Sequence, residues 1–352
     1  MFHPLRVARV DRLTDDAVAL TLTVPPALRE EFRFIPGQHL TFRHRAADGT
    51  ELRRNYSVCT PADAPAGPSE LTVGVRHITG GTFSAHVVKE VAPGDTLDVM
   101  PPTGRFTLAP RPGHFAAVTG GSGITPVLSM AATLLATEPE ARFTLLRADR
   151  SAASTMFLEE VADLKDRHPG RLQLVHALSR EEQQAGLGSG RLDAARITAL
   201  LPALLPVGTV AGWYLCGPLG LIDATRQALR DLGVDRERVH TELFHADDAP
   251  AAPAPAAETA TDATVTATLD GRSGSWPVQP GETLLETVLR NRADAPYACK
   301  GGVCGTCRAH LVRGEVHMDR NFALEPEELE AGYVLACQSH PLTGQVELDF
   351  DA

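Results

Sequence analysis

Four of the six cysteines in this 352-residue chain have a spacing that suits metal binding. Cys299, Cys304 and Cys307 lie within nine residues, and Cys337 follows after twenty-nine intervening residues. The pattern Cys-x4-Cys-x2-Cys with a distant fourth cysteine is typical of a plant-type [2Fe–2S] cluster. Glycines in the same loop would let the backbone wrap closely around inorganic sulfides. Structural zinc is the alternative, although it usually uses two similar cysteine pairs.

Arg54, Tyr56 and Ser57, in the stretch LRRNYSVCTP, suit a bound flavin. The guanidinium can hold a diphosphate, the tyrosine ring can stack on an isoalloxazine, and the hydroxyl can approach N5, where hydride arrives. The following stretch VRHITGGTFSAHVV predicts a glycine turn that opens a helix with free N–H groups for a pyrophosphate. A turn with a serine cap is the alternative for that stretch alone, but the two stretches together predict FAD. The candidate FAD contacts are Arg54, Tyr56, Ser57, Val75, Gly80, Gly81, Thr82 and Ser84.

The stretch AAVTGGSGITPVLSM predicts a strand, a glycine turn and a helix, which is the local structure that binds a dinucleotide. It departs from the usual fingerprint, because Pro126 stands where the third glycine is expected after Gly121 and Gly123. Further on, WYLCGPLGLID places Cys216 at a predicted strand end, where a buried structural thiol is the alternative to a functional one.

Changes in sequence pattern divide the chain into four segments. Before Pro110, short alternating segments separated by Pro, Gly and Asp indicate an antiparallel β-barrel or sandwich, and we predict the barrel. After it, continuous apolar strands alternate with helical stretches and predict an α/β domain with a parallel sheet. From His245 to Thr264, Ala, Pro and Thr replace any apolar periodicity, which is typical of an interdomain linker. The predicted segments are a barrel at 1–109, an α/β domain at 110–246, a linker at 247–262 and a small α+β module at 263–352.

The C-terminal module contains the cysteine loop between predicted strands and one amphipathic helix. A small mixed sheet that grips one helix is the β-grasp form of plant-type ferredoxins, which this segment resembles. Ala263–Ala352 contains 13 Asp and Glu against 7 Lys and Arg, a net charge of −6. An acidic face would suit docking to a basic partner, and a simply solvated surface is the alternative.

The overall composition is that of a globular protein, with 43% hydrophobic and 22% charged residues. The net charge of −11 argues against a nucleic-acid-binding surface. No apolar run is long enough to span a bilayer, and the N-terminus lacks the apolar stretch of a signal peptide. We therefore expect a cytoplasmic protein with no membrane partner, in which clustered thiols bind metal or perform redox chemistry.

The order of barrel, nucleotide domain, linker and cluster domain resembles the ferredoxin-NADP reductase-type reductases of multicomponent oxygenases. Within that group the whole chain is most similar to the reductases of phenylacetyl-CoA epoxidases, through RNYSVC, GGSGITP, HTELFH, PYACKGGVCGTC and LEPEELEAGYVLACQSHPLT. The resemblance implies that NADPH gives hydride to FAD and that single electrons then pass through the [2Fe–2S] cluster. It further implies a separate diiron oxygenase as the acceptor. The sequence does not decide whether the chain forms a weak homo-oligomer.

The same resemblance implies roles for individual residues. Ser57, Cys216 and Glu242 are the implied catalytic groups, and Glu242 and Phe244 would lie near the flavin, with simple packing as their alternative. The implied nicotinamide-nucleotide contacts are Gly120, Gly121, Ser122, Thr125, Pro126, Cys216, Gly217 and Pro218.

Two stretches bear on the choice of nicotinamide nucleotide. Ser179, Arg180 and Arg191 are similar to the Ser-Arg arrangement that grips the 2′-phosphate of NADPH in these reductases, although Arg191 could be plain surface charge. Asp149 lies in LRADRS, where the related reductases have a Gly-Asn-Arg run, and its carboxylate could instead accept from a ribose hydroxyl. We expect NADPH, with NADH as the alternative.

Three rival functions remain open from the sequence. A reductase for another oxygenase, such as a steroid-ring or aromatic hydroxylase, would have the same domain order. A redox sensor or electron-carrier module would use the cluster to report rather than to feed catalysis. A flavoenzyme with structural zinc would transfer hydride and show no cluster absorbance.

Overall fold

The computed structural model describes residues 1–45, 49, 51–62, 64–181, 190–244, 260 and 262–352. The chain divides into two compact units, Met1–Phe244 and His245–Ala352. Within the described ranges, no helix is long and apolar enough to cross a membrane. The predicted linker at 247–262 lies outside the described residues except for Ala260 and Asp262, so the four segment boundaries stay predictions.

The first part of unit Met1–Phe244 is an antiparallel barrel. Its elements are β1 (His3–Thr14), β2 (Ala17–Thr23), β3 (His39–Arg45), β4 (Glu51–Ser57), β5 (Glu70–Arg76), α1 (Thr82–Lys89) and β6 (Thr96–Val99). The strand order is β4-β3-β6-β1-β2-β5, and a bridge between Val58 and Val73 brings the end of β4 to β5. The two edges of the sheet therefore meet, which removes unpaired edge strands. Buried side chains such as Leu20, Leu40 and Phe42 fill the interior.

The second part of the same unit is a parallel sheet with helices. Its elements are β7 (Gly113–Gly120), α2 (Ile124–Thr137), β8 (Ala141–Asp149), α3 (Leu158–Arg167), β9 (Leu172–Leu178), α4 (Ala194–Leu204), β10 (Val210–Cys216), α5 (Leu219–Asp231) and β11 (Val239–Glu242). The order β11-β10-β7-β8-β9 is parallel throughout, with β7 between β8 and β10. The chain leaves β7 in one direction and returns to its other side at β10. This is a topological switch point, where open α/β sheets bind ligands.

Helix α2 fixes the barrel to the parallel sheet. The Thr133 hydroxyl accepts a hydrogen bond from the Ala62 N–H at 2.8 Å, and the Ser129 hydroxyl donates to the Thr60 carbonyl at 2.7 Å. Both hydroxyls are buried, so each bond is made away from water and leaving it unmade would be costly. The segment that follows β4 is thereby held against the nucleotide domain.

Unit His245–Ala352 is built on a mixed sheet. Its elements are β12 (Thr264–Leu269), β13 (Arg272–Pro277), α6 (Leu284–Asn291), β14 (Arg308–Arg313), β15 (Val316–Met318), α7 (Pro326–Glu330), β16 (Tyr333–Leu335), β17 (Ser339–Pro341) and β18 (Gln345–Asp349). The main sheet has the order β13-β12-β18-β14-β16, with β12 and β18 parallel, and β15 pairs with β17. Helix α6 begins with a capping box between Thr283 and Glu286 and buries Leu284, Leu285 and Val288. The predicted barrel, parallel-sheet domain and mixed-sheet module are confirmed.

Candidate functional site

The turns that follow β7 and β10 lie in direct contact at the switch point. A Cβ placed on Gly123 would lie 2.0 Å from the Cys216 carbonyl oxygen, and one on Gly217 would lie 2.8 Å from the Gly120 nitrogen. Pro218 is equally close, because a Cβ on Gly120 would meet its Cδ at 2.9 Å. Only glycine permits this approach of two backbones, so the predicted nicotinamide turns form one joint surface.

The N-terminus of α2 faces this surface without a side-chain cap. Its N-cap is Gly123, and the Thr125 hydroxyl donates to the Ser122 carbonyl at 2.9 Å, which stabilises the turn. Pro126 occupies the first turn, where a missing N–H leaves no helix hydrogen bond unmade. The remaining N–H groups of the first turn suit the diphosphate of a nicotinamide nucleotide.

Asp149 contacts the glycine turn and is not presented to solvent. Its side chain is 2% exposed, Oδ1 accepts from the Gly121 N–H at 3.1 Å, and Oδ2 lies 3.3 Å from Nε of the buried Arg147. Gly121 has a φ of +57°, which glycine adopts without strain, and the carboxylate holds the turn in this one conformation. The structure therefore does not support Asp149 as a ribose ligand, and the reason is burial against Arg147.

Ser179 and Arg180 follow β9 directly, at the C-terminal edge of the parallel sheet. The Ser179 N–H donates to the Asp149 carbonyl at 2.9 Å, and the Arg180 N–H to the Arg150 carbonyl at 2.8 Å. Both side chains are exposed, and so is Arg191, whose carbonyl accepts from Nη1 of Arg196 at 2.9 Å. Residues 182–189 between them lie outside the described residues, so a joint 2′-phosphate site stays a prediction.

The Arg-x-Tyr-Ser stretch lies in β4, and its tyrosine contacts helix α1. Tyr56 packs against Phe83 with ring centroids 5.7 Å apart, while Arg54 is exposed and Val75 is buried in β5. Burial raises the pKa of Tyr56, so its hydroxyl stays neutral. The position of this ring leaves it available to line a flavin site on the barrel.

The N-terminal turn of α1 also has the form expected for a diphosphate site. Gly80 and Thr82 are exposed, Gly80 has a φ of +77°, and the N-cap Gly81 gives no side-chain cap. The Ser84 hydroxyl accepts from the Ile78 N–H at 3.1 Å and donates to the Gly81 carbonyl at 3.2 Å. Ser84 therefore holds the turn in place, and the backbone N–H groups remain the groups that suit a ligand.

Three predicted catalytic residues from distant segments meet between barrel and sheet. Cys216 and Glu242 stand opposite each other in β10 and β11. Burial raises the pKa of Glu242 to about 8, and the nearby Ser57 hydroxyl opposes this shift only in part. Burial, and then the nearby Glu242, raise the pKa of the Cys216 thiol, so the thiol is neutral. Phe244 packs against the adjoining apolar core.

Two buried polar atoms in this group fit a missing ligand. Ser57 Oγ and Glu242 Oε2 have no hydrogen-bond partner of normal geometry among the described residues. Unpaired buried polar atoms are costly, so their presence indicates that another group completes them. The polar edge of an isoalloxazine supplies such donors and acceptors, and the residues present therefore fit FAD.

Glu242→Gln should change how stability depends on pH. The pKa of Glu242 is about 8 in the folded chain, against an ordinary value of 4.5. The folded state therefore binds an extra proton between these values, and the free energy of unfolding falls as pH rises through this window. We expect flavin-free wild-type protein to lose more unfolding free energy across the window than Glu242→Gln. Urea unfolding at a series of pH values would measure this, and identical slopes would contradict the raised pKa.

The four clustered cysteines form two pairs in the C-terminal unit. A hydrogen bond from Cys304, and then backbone N–H groups that include Gly301 at 3.3 Å, lower the pKa of Cys299 to about 5. A hydrogen bond from Cys307 likewise lowers the pKa of Cys337. No three His, Cys, Asp or Glu side chains of the described residues surround one ion position. Two thiol pairs fit a two-iron cluster, in which each iron takes two protein ligands.

The loop around these thiols has backbone conformations that the sequence only partly revealed. Gly302 has a φ of +77° and Gly305 of +66°, as the glycine-rich sequence predicts, but Lys300 also has a φ of +52°. Nε2 of Gln338 donates to the Lys300 carbonyl at 2.9 Å, which holds that strained residue in place within the cluster loop. Nothing in the spacing of the cysteines indicated this role for Gln338.

Arg76 is a further site residue that sequence reasoning missed. Its Nε donates to Asp16 at 3.2 Å and its Nη2 to the Ser154 carbonyl at 2.5 Å. A Cβ on Gly121 would lie 3.0 Å from its Nη1. Arg76 therefore joins the barrel to the glycine turn, and no local signal could have shown this because its partners come from three separate segments.

Family models match three successive parts of the chain, and curated relatives are similar to it over almost its whole length. Residues 4–108 match the oxidoreductase FAD-binding domain, 117–227 the oxidoreductase NAD-binding domain and 267–342 the 2Fe-2S iron-sulfur cluster binding domain. The chain is 42% identical to a component of the 1,2-phenylacetyl-CoA epoxidase of Escherichia coli K12, over 100% of this chain and 98% of that protein. It is 35% identical to the ferredoxin reductase component of 3-ketosteroid-9-alpha-monooxygenase of Rhodococcus rhodochrous, over 98% and 96%.

A solved structure shows the same modular order. Phthalate dioxygenase reductase, described as a modular structure for electron transfer from pyridine nucleotides to [2Fe-2S], superposes with a TM-score of 0.62 and 25% identity. The match covers 99% of this chain and 98% of that one. The three matched domains and this structure agree in domain order with the sequence-based prediction.

Proposed function

Because the chain belongs to the family of oxygenase reductases that includes this 1,2-phenylacetyl-CoA epoxidase component, we propose that it supplies electrons to the oxygenase component of a phenylacetyl-CoA epoxidase. The chain is an NAD(P)H-dependent oxidoreductase with FAD, nicotinamide-nucleotide and [2Fe–2S] domains. The observation that carries the epoxidase assignment is 42% identity across the entire chain, domain junctions included.

The residues of the site can hold a proton, exclude water and bind a diphosphate, which are tasks of such a reductase. Bound FAD supplies the conversion of a two-electron hydride donor into single-electron transfers. The raised pKa keeps Glu242 protonated at neutral pH, so a proton is held beside the Ser57 hydroxyl. The neutral, fully buried Cys216 forms an apolar wall that excludes water from the same place. Arg54 and the uncapped turn of α1 are the groups that would bind the diphosphate.

NADPH is the nucleotide that the exposed charges support. Arg180 and Arg191 present guanidinium groups near the end of β9, and guanidinium binds phosphate bidentately. Asp149, the carboxylate that would favour a free ribose hydroxyl, is buried against Arg147. We further take the acceptor to be a cytoplasmic diiron oxygenase, an assignment that rests on the resemblance to epoxidase reductases.

A second candidate is a reductase for a different oxygenase. The 35% identity to the 3-ketosteroid-9-alpha-monooxygenase reductase favours it, and that protein is covered almost completely. The two candidates differ only in the partner. Reconstitution with each oxygenase component, with oxygen uptake coupled to product as the readout, would separate them.

The proposed electron path can be tested by anaerobic stopped-flow absorbance. Full-length protein with measured iron and flavin would be mixed separately with NADPH and NADH. We expect flavin bleaching first and loss of cluster absorbance second, at lower nucleotide concentration with NADPH. Flavin reduction with no change at the cluster would contradict the proposal.

The variant Arg180→Gln tests the proposed preference for NADPH over NADH. A hydrogen bond to a charged group contributes about 1.5–3 kcal/mol, so we expect the preference for NADPH to fall by about ten- to 150-fold. The rate of flavin reduction by NADH and its dependence on NADH concentration should not change, because NADH lacks the 2′-phosphate. An equal loss with both nucleotides would mean that Arg180 acts on the fold rather than on the phosphate.

A further inference from the structure

Arg147 carries a positive charge into the apolar core of the parallel sheet. Its side chain is 1% exposed, and arginine stays charged in proteins. Leu145, on the same face of β8, belongs to the core that also contains the apolar residues of α2. Replacing a buried ion pair by apolar side chains is often neutral or stabilising. Stability alone therefore does not explain a charge at this position.

The Arg147 guanidinium connects two segments that are separate in the chain. Its Nε lies 3.3 Å from Oδ2 of Asp149, and its Nη2 donates to the Met156 carbonyl at 2.8 Å. Burial lowers the pKa of Arg147, and the Asp149 carboxylate opposes that shift, as expected of an ion pair. The other oxygen of Asp149 accepts from the Gly121 N–H at 3.1 Å. One side chain thus links the Met156 carbonyl to the glycine turn that follows β7.

The segment that receives the Arg147 hydrogen bond has a strained backbone. Phe157 has a φ of +54°, which is a rare conformation for an aromatic residue. It is the N-cap of α3, and its carbonyl accepts from the Val161 N–H at 3.2 Å. Strain of this kind persists only where the surroundings hold the residue in place, and it is concentrated at functional sites. The bond from Arg147 to the neighbouring Met156 carbonyl is one of the contacts that hold it.

This strained segment and the first turn of α2 both contact one glycine of the barrel. A Cβ placed on Gly74, in β5, would lie 2.7 Å from Cε2 of Phe157 and 3.0 Å from Cε of Met156. It would also lie 2.8 Å from Cγ2 of Thr125. Only glycine leaves room for these contacts, and Gly74 precedes the predicted flavin contact Val75. The approach of the nucleotide domain to β5 therefore depends on a segment that Arg147 holds.

Arg76 reaches the same two segments from the barrel side. Its Nη2 donates to the carbonyl of Ser154, two residues before Met156, and its Nη1 lies beside Gly121. The Arg76 charge adds to burial in lowering the pKa of Arg147, so the two guanidinium groups lie near each other. Each arginine, one from each domain, thus contacts the 154–156 segment and lies on a path to the glycine turn.

We propose that Arg147 is a positioning residue, which fixes the glycine turn at Gly121 against β5 through Asp149 and through the Met156 carbonyl. The inference rests on the proposed function, because it takes this turn as the nicotinamide side of the site. A planar guanidinium fixes two directions at once, which a neutral side chain of the same size does not. Hydride transfer needs near-contact geometry, and a displacement of about 1 Å can reduce its rate by about a hundredfold.

Arg147→Met tests this role, because methionine is a flexible apolar side chain that removes both the charge and the planar fork. Flavin reduction in the full-length holoenzyme is followed by anaerobic stopped flow over a range of NADPH concentrations. The rate at saturating NADPH, per bound flavin, should fall by about ten- to a hundredfold. The half-saturating NADPH concentration and the flavin content should stay near their wild-type values, because Arg147 contacts neither ligand. A wild-type rate would overturn the proposal.

Hydrogen exchange measured by mass spectrometry on nucleotide-free holoenzyme gives a readout besides activity. Peptides that contain Gly121 should exchange faster in Arg147→Met, because the acceptor of the Gly121 N–H loses its own partner. Peptides of α4 should be unchanged. Wild-type exchange at Gly121 would contradict the link through Asp149.

A double-mutant cycle shows whether Arg147 acts through Asp149. Asp149→Asn keeps an oxygen that can accept from the Gly121 N–H, but it removes the charge that pairs with Arg147. Residues that act as one unit are not additive, so Arg147→Met combined with Asp149→Asn should be no slower than Arg147→Met alone. Additive losses would overturn the proposal. If Arg147→Met does not fold, the double variant takes its place, since it leaves no unpaired carboxylate, and it must show the same loss of rate.

Arg171→Met is the matched control. Arg171 also donates to main-chain carbonyls, those of Leu135 at 2.6 Å and Glu138 at 3.0 Å, but it precedes β9 at the opposite edge of the sheet. Its loss should lower the Tm and leave the reduction rate per bound flavin unchanged. An equal loss of rate in Arg171→Met would mean that Arg147 acts only on the fold. Absence of flavin reduction by either nucleotide in wild-type protein would overturn the proposed function and this inference together, before any substitution is made.

Discussion

Cys304→Ala is expected to stop electron delivery to a one-electron acceptor while NADPH still reduces the flavin. Cys304 is hydrogen-bonded to Cys299 in one of the two thiol pairs, so its loss removes a ligand from one iron position. Loss of outer-shell partners alone reduces activity at metal sites by about 10–100-fold, and loss of a ligand should exceed that. We expect at least about a hundredfold slower reduction of a haem-protein acceptor, with no cluster absorbance.

The flavin half of the same variant serves as an internal control. Met1–Phe244 is a compact unit of its own, so direct reduction of ferricyanide by the flavin should remain at the wild-type rate. Cys59→Ala, which removes a buried thiol of the barrel, should keep the cluster absorbance. Acceptor reduction at the wild-type rate in Cys304→Ala would refute the electron path through the cluster.

Gly123→Ala is expected to damage the nicotinamide site and leave flavin content unchanged. The new Cβ would lie 2.0 Å from the Cys216 carbonyl oxygen and 2.7 Å from the Gly217 nitrogen, and both are backbone atoms that cannot rotate away. Forcing an extra methyl group into a packed site costs about 1–3 kcal/mol. If this strain separates the two turns, kcat/KM for NADPH should fall by about five- to 150-fold, as steady-state kinetics would show.

Gly208→Ala is the matched control in the same domain. Nothing lies within 4 Å of a Cβ at Gly208, and its backbone does not have a positive φ. This variant should have wild-type kinetics and thermal stability. Normal kcat/KM in Gly123→Ala would show that the contact between the turns is not required for nucleotide binding.

The predicted architecture and cofactor motifs depended on patterns that are local in the chain. Alternating strands, continuous apolar strands and glycine turns each follow from a few consecutive residues, because backbone geometry repeats every two or 3.6 residues. The cysteine spacing was equally informative, since three of the four ligands come from a single loop. These features were enough to predict a barrel, a parallel-sheet domain and a cluster module in their order.

Some side-chain roles could not be predicted from such patterns. Asp149 was a candidate for ribose binding by its position near a strand end, yet its carboxylate is 2% exposed and accepts from the Gly121 N–H. Arg147, two residues away on the same face of β8, keeps that carboxylate buried. The sequence shows both residues, but it does not show whether the Asp149 carboxylate is buried or exposed to solvent. The proposed preference for NADPH over NADH therefore rests on the exposed arginines.

The sequence by itself determined which chemical groups this chain carries and on which elements they lie. Only the tertiary structure decided which of them meet. Ser57, Cys216 and Glu242 come from β4, β10 and β11, and they converge because α2 holds the barrel against a sheet whose strand order reverses at β7. The raised pKa of Glu242 arises from the same packing, because burial is its largest cause. Burial and distance are properties of packed surfaces that join segments far apart in the chain, so no local pattern encodes them.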